Sequence, residues 1–352
     1  MIFVTPSRTK QSETFIKRQI ELLKPDYIYS DGRIPTKINE LTIKHYGLGF
    51  LRRARIRFFV NSINKLPTDT ILIQYGTTPR LWIDKIASKH KIVVHFHGYD
   101  ATRKSGLTQE EYNKIFTRSD KIITPSLAIK NDLVDLGCDK NKIFVLPCVP
   151  KSDFWNSRKI RKLNSDDVLK LLFVGRLVEK KGVSFLLGAI REVVDAGYDK
   201  LRLTIIGDGP DYDKAKKEIE RLDLEKLVQL LGNQSNEVVN QEMIKTHLLV
   251  QHSIVASDGD KEGAPVSLME AISNGLPVVS TKHSGIPEII EHGYSGLLSD
   301  EKNTKEMAHN IIKFLEDAEL VELFSMNAID VAGRLFQEKD YAVGLKVVLD
   351  FE

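Results

Sequence analysis

Apolar residues in this chain fall in short runs separated by segments of helical length. In the first half the runs are IFV at 2–4, DYIYS at 26–30, TILIQY at 70–75, KIVVHF at 91–96, KIITP at 121–125 and KIFVLP at 142–147. They are rich in Ile and Val, as parallel strands buried on both faces are, and the intervening segments are long enough for crossover helices. After the first run, Phe15, Ile16, Ile20 and Leu23 make one apolar helical face, with Ser12 placed as its cap. In the second half, LKLLFVG at 169–175, LRLTIIG at 201–207, LVQLLG at 227–232, HLLVQHS at 247–253 and PVVS at 277–280 read as strands. Residues 182–196, 211–223 and 236–245 read as helices. Two successive α/β units are predicted, with ligands expected at the turns that follow the strands. Between them, SDFWNSRKIRKLNSDD at 152–167 is polar and shows neither period, so it reads as a linker joining domains at 1–151 and 168–339.

The length of 352 residues allows two domains with a core each. A net charge of +3 does not suggest a nucleic-acid partner. Cys138 and Cys148 cannot make a disulfide framework and fit a reducing compartment. MIFVTPSRTK is broken by Pro6 and lacks a signal-peptide core, and no apolar run nears the roughly 20 residues that span a bilayer. These features predict a cytoplasmic protein whose contact with any membrane is peripheral. One stretch bears on that contact. Residues 41–68 hold no acidic side chain but carry Lys44, Arg52, Arg53, Arg55, Arg57 and Lys65, interleaved with Phe50, Leu51, Phe58 and Phe59. At helical spacing, Leu51, Ala54 and Phe58 form one stripe and Ile56, Phe59 and Ile63 another. The stretch reads either as a helix resting on an anionic inner leaflet through Arg52, Arg53, Arg55 and Arg57, or as an ordinary helix with a solvated charged face.

The candidate chemistry gathers around Glu262–Ser280, EGAPVSLMEAISNGLPVVS, which reads as loop, short helix, sharp stop and buried strand. Pro265 suits the first helical turn, Gly275 the left-handed stop, and Pro277 blocks continuation. The backbone N–H groups around Gly263, Ala264 and Val266 have no helical acceptor and can hold an anion. Glu262 and Glu270 put a hydrogen-bond acceptor on either side of that cradle. The layout matches the hydroxyls, diphosphate and ribose of a sugar nucleotide, although acids near helix starts and glycines in loops are also common without any function. As a loop residue, Glu262 is expected to bond a ligand rather than to pack in the core. Arg176 and Lys181 flank the turn GRLVEKKG; alone they are a solvated pair, and beside an anion site they make a diphosphate clamp. Gly207-Asp208-Gly209 turns after one strand, and Gly232-Asn233 ends another. His97, in HFHGYDATRK, stands at a strand end, where a histidine is structural or bonds a ligand; His95 lies deeper in the strand.

Glu262–Glu270 resembles the Glu-x7-Glu motif of glycosyltransferase family four. The resemblance continues through VVSTKHSGIPEII and back to LLFVGRLVEKKGVSFLL and LTIIGDGP, over about Leu169–Ser299. It implies an α/β protein of GT-B fold, two Rossmann-like domains facing across a donor-binding cleft. The tail, about 340–352, would pack back on the first domain through Tyr341, Val343, Leu345 and Val348. The resemblance also implies transfer of a sugar from a nucleotide-sugar donor with retained configuration. In that reading Glu262 and His97 grip the sugar. Arg176, Lys181 and the helix start at Gly263, Ala264, Pro265 and Val266 hold the diphosphate. Glu270 accepts from the ribose, and the turns at Gly207 and at Gly232-Asn233 meet the donor. The matching class needs no metal or other cofactor, so Asp258-Gly259-Asp260 reads as an acidic surface loop.

The family's glycine-rich loop after the first strand is missing here, and SETFI stands in its place. Ser12 and Thr14 therefore read either as hydroxyl donors or as ordinary caps. SETFI and DGDKEGAPVSLMEAISNGLPVVSTKHSGIPE look most like enzymes of capsule, exopolysaccharide or lipopolysaccharide assembly. That implies a UDP-sugar first and a GDP-sugar second, with a lipid-linked or oligosaccharide acceptor. The competing readings are a nucleotide-sugar epimerase of the same fold and a sugar-nucleotide-binding protein without turnover. The epimerase needs acid–base carboxylates that the sequence does not assign. Both cations and both glutamates speak against the non-catalytic protein.

Overall fold

The computed structural model describes residues 1–6, 14–39, 41–42, 52–102, 105–150, 152–164 and 166–351. In chain order the first elements are β1 (Ile2–Val4), α1 (Thr14–Leu23), β2 (Tyr27–Ser30), β3 (Lys37–Ile38), β4 (Leu41–Thr42), α2 (Arg52–Asn64), β5 (Thr70–Gln74), β6 (Lys91–His95), α3 (Gln109–Arg118), β7 (Lys121–Thr124), α4 (Leu127–Asp135) and β8 (Ile143–Val145). They are followed by α5 (Ser152–Asn156), β9 (Leu169–Val174), α6 (Val183–Asp195), β10 (Leu201–Ile206), α7 (Tyr212–Arg221), β11 (Val228–Gly232), α8 (Asn236–Lys245), β12 (Leu248–Val250) and α9 (Val266–Ser273). The last are β13 (Val278–Thr281), β14 (Gly296–Ser299), α10 (Thr304–Glu316), α11 (Glu319–Leu335) and α12 (Glu338–Leu349). The chain divides into two compact units, Met1–Pro147 with Glu338–Glu352, and Cys148–Gln337.

In the first unit the sheet runs β4-β3-β2-β1-β5-β6-β7-β8 among the described residues. The ladder from β2 to β8 is parallel, and the short β3 and β4 add antiparallel to its edge. Ile2, Phe3, Val4, Ile71, Leu72, Ile73, Ile92, Val93 and Val94 are fully buried, which is why these strands read as unbroken apolar runs. Of the two stripes on α2, Ile56, Phe59 and Ile63 face the core, and Phe59 meets Trp82 and Tyr29 edge-on at ring distances of 4.9 and 5.4 Å. Phe58 is 49% exposed, and Leu51 lies outside the described residues. The closing α12 packs in this unit through Tyr341, Leu345, Val348 and Leu349. Val343, expected at that contact, is exposed instead. Gly344 fills its place because a Cβ there would lie 2.6 Å from a Leu146 methyl carbon.

In the second unit the parallel sheet runs β11-β10-β9-β12-β13-β14. The stretch 152–167 is not a bare linker. It holds the helix α5, whose Phe154 is buried, and Arg161, only 2% exposed, both packed in this unit. Pro265, expected inside the first turn of α9, is its N-cap, with extended φ −65° and ψ 116°. Gly275 closes α9 in the left-handed conformation at φ +77°, as its position implied.

Candidate active site

The residues singled out by sequence fall into two groups, one in each unit. In the second unit they surround the start of α9. Between β12 and α9 the chain follows an irregular path that is tied to the turn after β9. Ile254 donates its N–H to Lys180 O at 2.9 Å, and Ser257 donates from N and Oγ to Glu179 at 2.9 and 2.7 Å. Lys180 Nζ donates to Asp260 Oδ1 at 3.0 Å. Asp260 thus serves an ion pair, and no group of three or more metal-ligating side chains occurs among the described residues.

Glu262 comes next, and it is buried, 7% exposed. That differs from a loop carboxylate waiting only for ligand. Its oxygen Oε1 stands 3.1 Å from Lys181 Nζ in an ion pair that lacks the alignment of a full hydrogen bond. Burial pushes the Glu262 pKa up, but the charges of Lys181 and Lys180 outweigh it, and the carboxyl titrates below its ordinary value. Lys180 shows the converse: burial lowers its pKa, and Glu262 and Asp260 raise it past the usual lysine value. The Glu262 amide donates to His283 Nε2 at 3.0 Å, and His283 Nδ1 lies 2.6 Å from Glu301 Oε1. A backbone donor on Nε2 requires that nitrogen to be the acceptor, so the proton sits on Nδ1 and is donated to Glu301.

Lys181 is also buried, and its Nζ donates to Gln251 Oε1 at 3.3 Å. Gly182 follows it at φ +60°, where a Cβ would sit 1.8 Å from His252 O. Only glycine can make that turn, and the turn sets Lys181 at the foot of α6. Arg176 is exposed and makes no ion pair among the described residues. At the start of α9, the N–H groups of Gly263, Ala264 and Val266 have no acceptor among the described residues. Glu270 is buried on the second turn of α9. Gly207 is buried at a close approach that leaves no room for a Cβ, which would lie 1.8 Å from Gly175 O, while Gly232 turns at φ +65° with open space around it and Asn233 is exposed.

In the first unit the group lies just beyond β6. Asp100 is buried and clasps the loop: Oδ1 accepts the amides of His97 and Gly98 at 2.8 and 3.0 Å, and Oδ2 accepts that of Gly76 at 2.8 Å. Burial pushes the Asp100 carboxyl up, against the pull of those three donors. The His97 ring packs against Phe15, Tyr75 and His95 at centroid distances of 4.6, 4.6 and 4.1 Å. Burial, and then the neighbouring His95, hold the His97 pKa well below 6.5, so the ring is neutral at physiological pH. Thr14 opens α1, whereas Ser12 and the Thr14 side chain lie outside the described residues. On α2, Arg52, Arg53 and Arg57 are exposed and Arg55 is half-buried.

Sequence reasoning missed Lys180, Asp100, His283 and Glu301. Lys180 sits beside a lysine that was chosen. Asp100 carries a weak local signal, an Asp whose side chain can reach the amides two and three residues back. His283 and Glu301 meet the Glu262 loop only through the tertiary fold.

Residues 153–331 match the family described as glycosyl transferases group 1, and residues 9–149 match glycosyltransferase family 4. The chain is 31% identical to the amylovoran biosynthesis glycosyltransferase AmsK of Erwinia amylovora over 291 residues, 80% of this chain and 70% of that protein. It is 33% identical over 226 residues to a putative colanic acid biosynthesis glycosyltransferase of Escherichia coli strain K12, covering 64% of this chain and 55% of that protein. It thus spans about half the length of the latter relative. Among solved structures, Anabaena HepE in complex with UDP-glucose superimposes with a TM-score of 0.77 at 19% identity, over 99% of each chain. The apo lipopolysaccharide outer core galactosyltransferase WaaB gives 0.75 at 20% identity, over 99% of this chain and 98% of that one. These likenesses give the fold, GT-B.

Proposed function

The chain belongs to the group 1 glycosyl transferases, and from that premise we propose that it transfers a hexosyl group from a UDP-sugar, without a metal, to a lipid-linked or saccharide acceptor in exopolysaccharide or lipopolysaccharide synthesis. The observation that carries this reading is Glu262: a buried, ionised carboxylate with an oxygen short of an aligned donor, paired with Lys181 beside the open N-terminus of α9. A buried acceptor in that state is costly unless something completes its hydrogen bonding. A sugar hydroxyl supplies the missing donor. The names of relatives as amylovoran and colanic acid glycosyltransferases support the pathway class.

The chemistry breaks the bond between the anomeric carbon and the diphosphate oxygen and forms one to an acceptor oxygen. The diphosphate takes up negative charge as it leaves. Arg176, Lys181 and the N–H groups of Gly263, Ala264 and Val266 counter that charge, and Lys180 adds to the field. The departing phosphate oxygen takes the acceptor proton, so no protein acid is needed, and attack on the face being vacated retains configuration. Glu262 and neutral His97 hold sugar hydroxyls while the anomeric carbon becomes oxocarbenium-like. Glu270 accepts from the ribose, and the Gly207 and Gly232-Asn233 turns border the nucleoside.

A membrane-borne acceptor is supported by α2, an acid-free helix with Arg52, Arg53 and Arg57 exposed beside Phe58. Arg52 and Arg55 line, with Arg33 and Asp31, an open cavity of about 380 Å³ that suits an anionic group. No helix among the described residues is long and apolar enough to cross a membrane. The test of the whole reading is a donor-hydrolysis screen over UDP- and GDP-sugars without acceptor, run with and without EDTA. Slow release of UDP from one UDP-sugar, unchanged by EDTA, is expected. Release only with added Mg²⁺ or Mn²⁺ would bring Asp258 and Asp260 into the site as metal ligands, and epimerised donor in place of released nucleotide would make the protein an isomerase.

A further inference from the structure

Gln19 on α1 and Gln74 at the end of β5 are both fully buried in the first unit. An amide in that position carries two donors and an acceptor that must all find partners. Here Gln19 meets all three needs, and Gln74 its acceptor and one of its two hydrogens, within one group. Gln74 Nε2 donates to Gln19 Oε1 at 2.7 Å. Gln19 Nε2 lies 2.7 Å from the Tyr341 hydroxyl and 3.0 Å from His95 Nδ1 and, with two hydrogens, donates to both. That leaves Gln74 Oε1 as an acceptor, and the group facing it at 3.0 Å is His97 Nε2. Two acceptors cannot bond each other, so His97 Nε2 carries the proton. His97 Nδ1, which has no partner among the described residues, keeps its lone pair. The chain therefore runs in one direction, from Tyr341 on α12 through two amides to the imidazole.

We propose that Tyr341, Gln19 and Gln74 are positioning residues that hold His97 as its Nε2–H tautomer, so that Nδ1 accepts a hydroxyl of the transferred sugar. This rests on the assignment of His97 to the sugar site made above. It adds that α12, more than 200 residues along the chain from His97, helps to set the state of that side chain. The alternative tautomer would put a donor toward the sugar and turn both amides over. A network whose members are all bonded to one another resists that change, because reversing one bond reverses them all.

The test uses the full-length protein with ¹⁵N-labelled histidine, and His97→Gln identifies the His97 signals. In the wild type, Nε2 is expected to be the protonated nitrogen and Nδ1 the unprotonated one. Gln74→Leu removes the acceptor and should release the ring to a mixture of tautomers, with kcat falling about tenfold and donor KM changing less. Gln74→Glu still accepts from Nε2–H, with the Gln19 amide turned to face it, and should keep the wild-type tautomer and most of kcat. Tyr341→Phe, the mildest change, should lower kcat severalfold with no loss of folded protein. A protonated Nδ1 in the wild type overturns the proposal. So does wild-type kcat with an unchanged tautomer in both Gln74→Leu and Tyr341→Phe, if His97→Ala still abolishes turnover. Wild-type turnover in His97→Ala would instead overturn the assignment of His97 itself.

Discussion

Glu262 and Lys181, 7% and 9% exposed, hold each other's charge across 3.1 Å. Removing one partner of a buried pair leaves the other uncompensated, at roughly 3–5 kcal/mol. Glu262→Ala is therefore expected to lower the urea midpoint of the second unit as well as kcat, the latter about 10²-fold or more if the residue steadies the transition state. Pairing it with Lys181→Met should restore much of the midpoint and none of the turnover. Wild-type kcat in Glu262→Ala would remove the residue from the site. The pH dependence follows from the sign of the shift. The folded pKa lies below 4.5, so the contribution of Glu262 is present above that pH and is lost as pH falls through the folded value. Glu262→Gln should lack that acid-side loss. Arg161 is a buried charge with no acid against it among the described residues. It is 2% exposed, and its guanidinium donates to Thr246 O at 3.1 Å, Met243 O at 3.0 Å and Lys159 O at 2.6 Å, and also to Asn274 Oδ1. Burial lowers its pKa to about 10, which still leaves it charged at neutral pH. Arg161→Met should destabilise the second unit by about 3 kcal/mol or more, because buried carbonyls lose their donors. Arg161→Lys should recover only part of that loss, since an ammonium lacks the planar fork. Equal urea midpoints for wild type and Arg161→Met would show that water replaces the guanidinium at no cost.

At the scale of elements, the Glu262 loop depends on a support that enters from beyond β13. His283 accepts the Glu262 amide and is itself oriented by Glu301, whose other oxygen takes the Val255 amide at 2.8 Å. His283→Ala should lower kcat about tenfold, and Glu301→Gln, whose single amide oxygen cannot accept from both His283 Nδ1–H and the Val255 N–H, should lower it severalfold. Equal kcat in all three proteins would make the contact structural only. The two main sheets were legible in the sequence because burial on both faces leaves Ile- and Val-rich runs that polar alternation does not interrupt. β14 was not, because GLLS opens on a glycine that must pass close to β13: a Cβ on Gly296 would lie 2.3 Å from Val278 O. α5 was hidden because its five residues are too few to show a helical period, and one buried Phe154 anchors it. The Glu262 element was legible because helix start, stop and following strand each follow local rules. Its support at His283 and the amide chain behind His97 were not. Each joins residues far apart in sequence, and a buried Gln or His looks in sequence like any solvated one.

At the scale of the whole molecule, the GT-B likeness extends over 99% of the chain, and surface and core then respond to solution conditions in different ways. Replacing Arg52, Arg53 and Arg57 with Ser should weaken binding to anionic vesicles about 10²-fold, at about 1 kcal/mol per basic residue near a leaflet, with the difference vanishing at high salt. Co-sedimentation at two salt concentrations measures this, and equal binding by both proteins would leave α2 a solvated helix. The core responds to protons instead. His95 is fully buried, and burial takes its pKa down to about 3. The unfolded chain binds a proton at this side chain below about pH 6.5 and the folded chain does not. Its contribution to stability is therefore full above pH 6.5 and declines as pH falls towards 3, by roughly 2–3 kcal/mol between pH 6.5 and 4.5. Asp100, pushed up by burial, acts in the opposite sense, so the histidine must be isolated by difference. The chain has two tryptophans, and Trp82 is fully buried in the first unit, so Trp155→Phe leaves a fluorescence signal from that unit alone. In that background the urea midpoint should fall between pH 6.5 and 4.5, and should fall less when His95→Gln is added. An equal fall in both would show that His95 takes up its proton without unfolding, and that the amide chain around it opens to let the proton in.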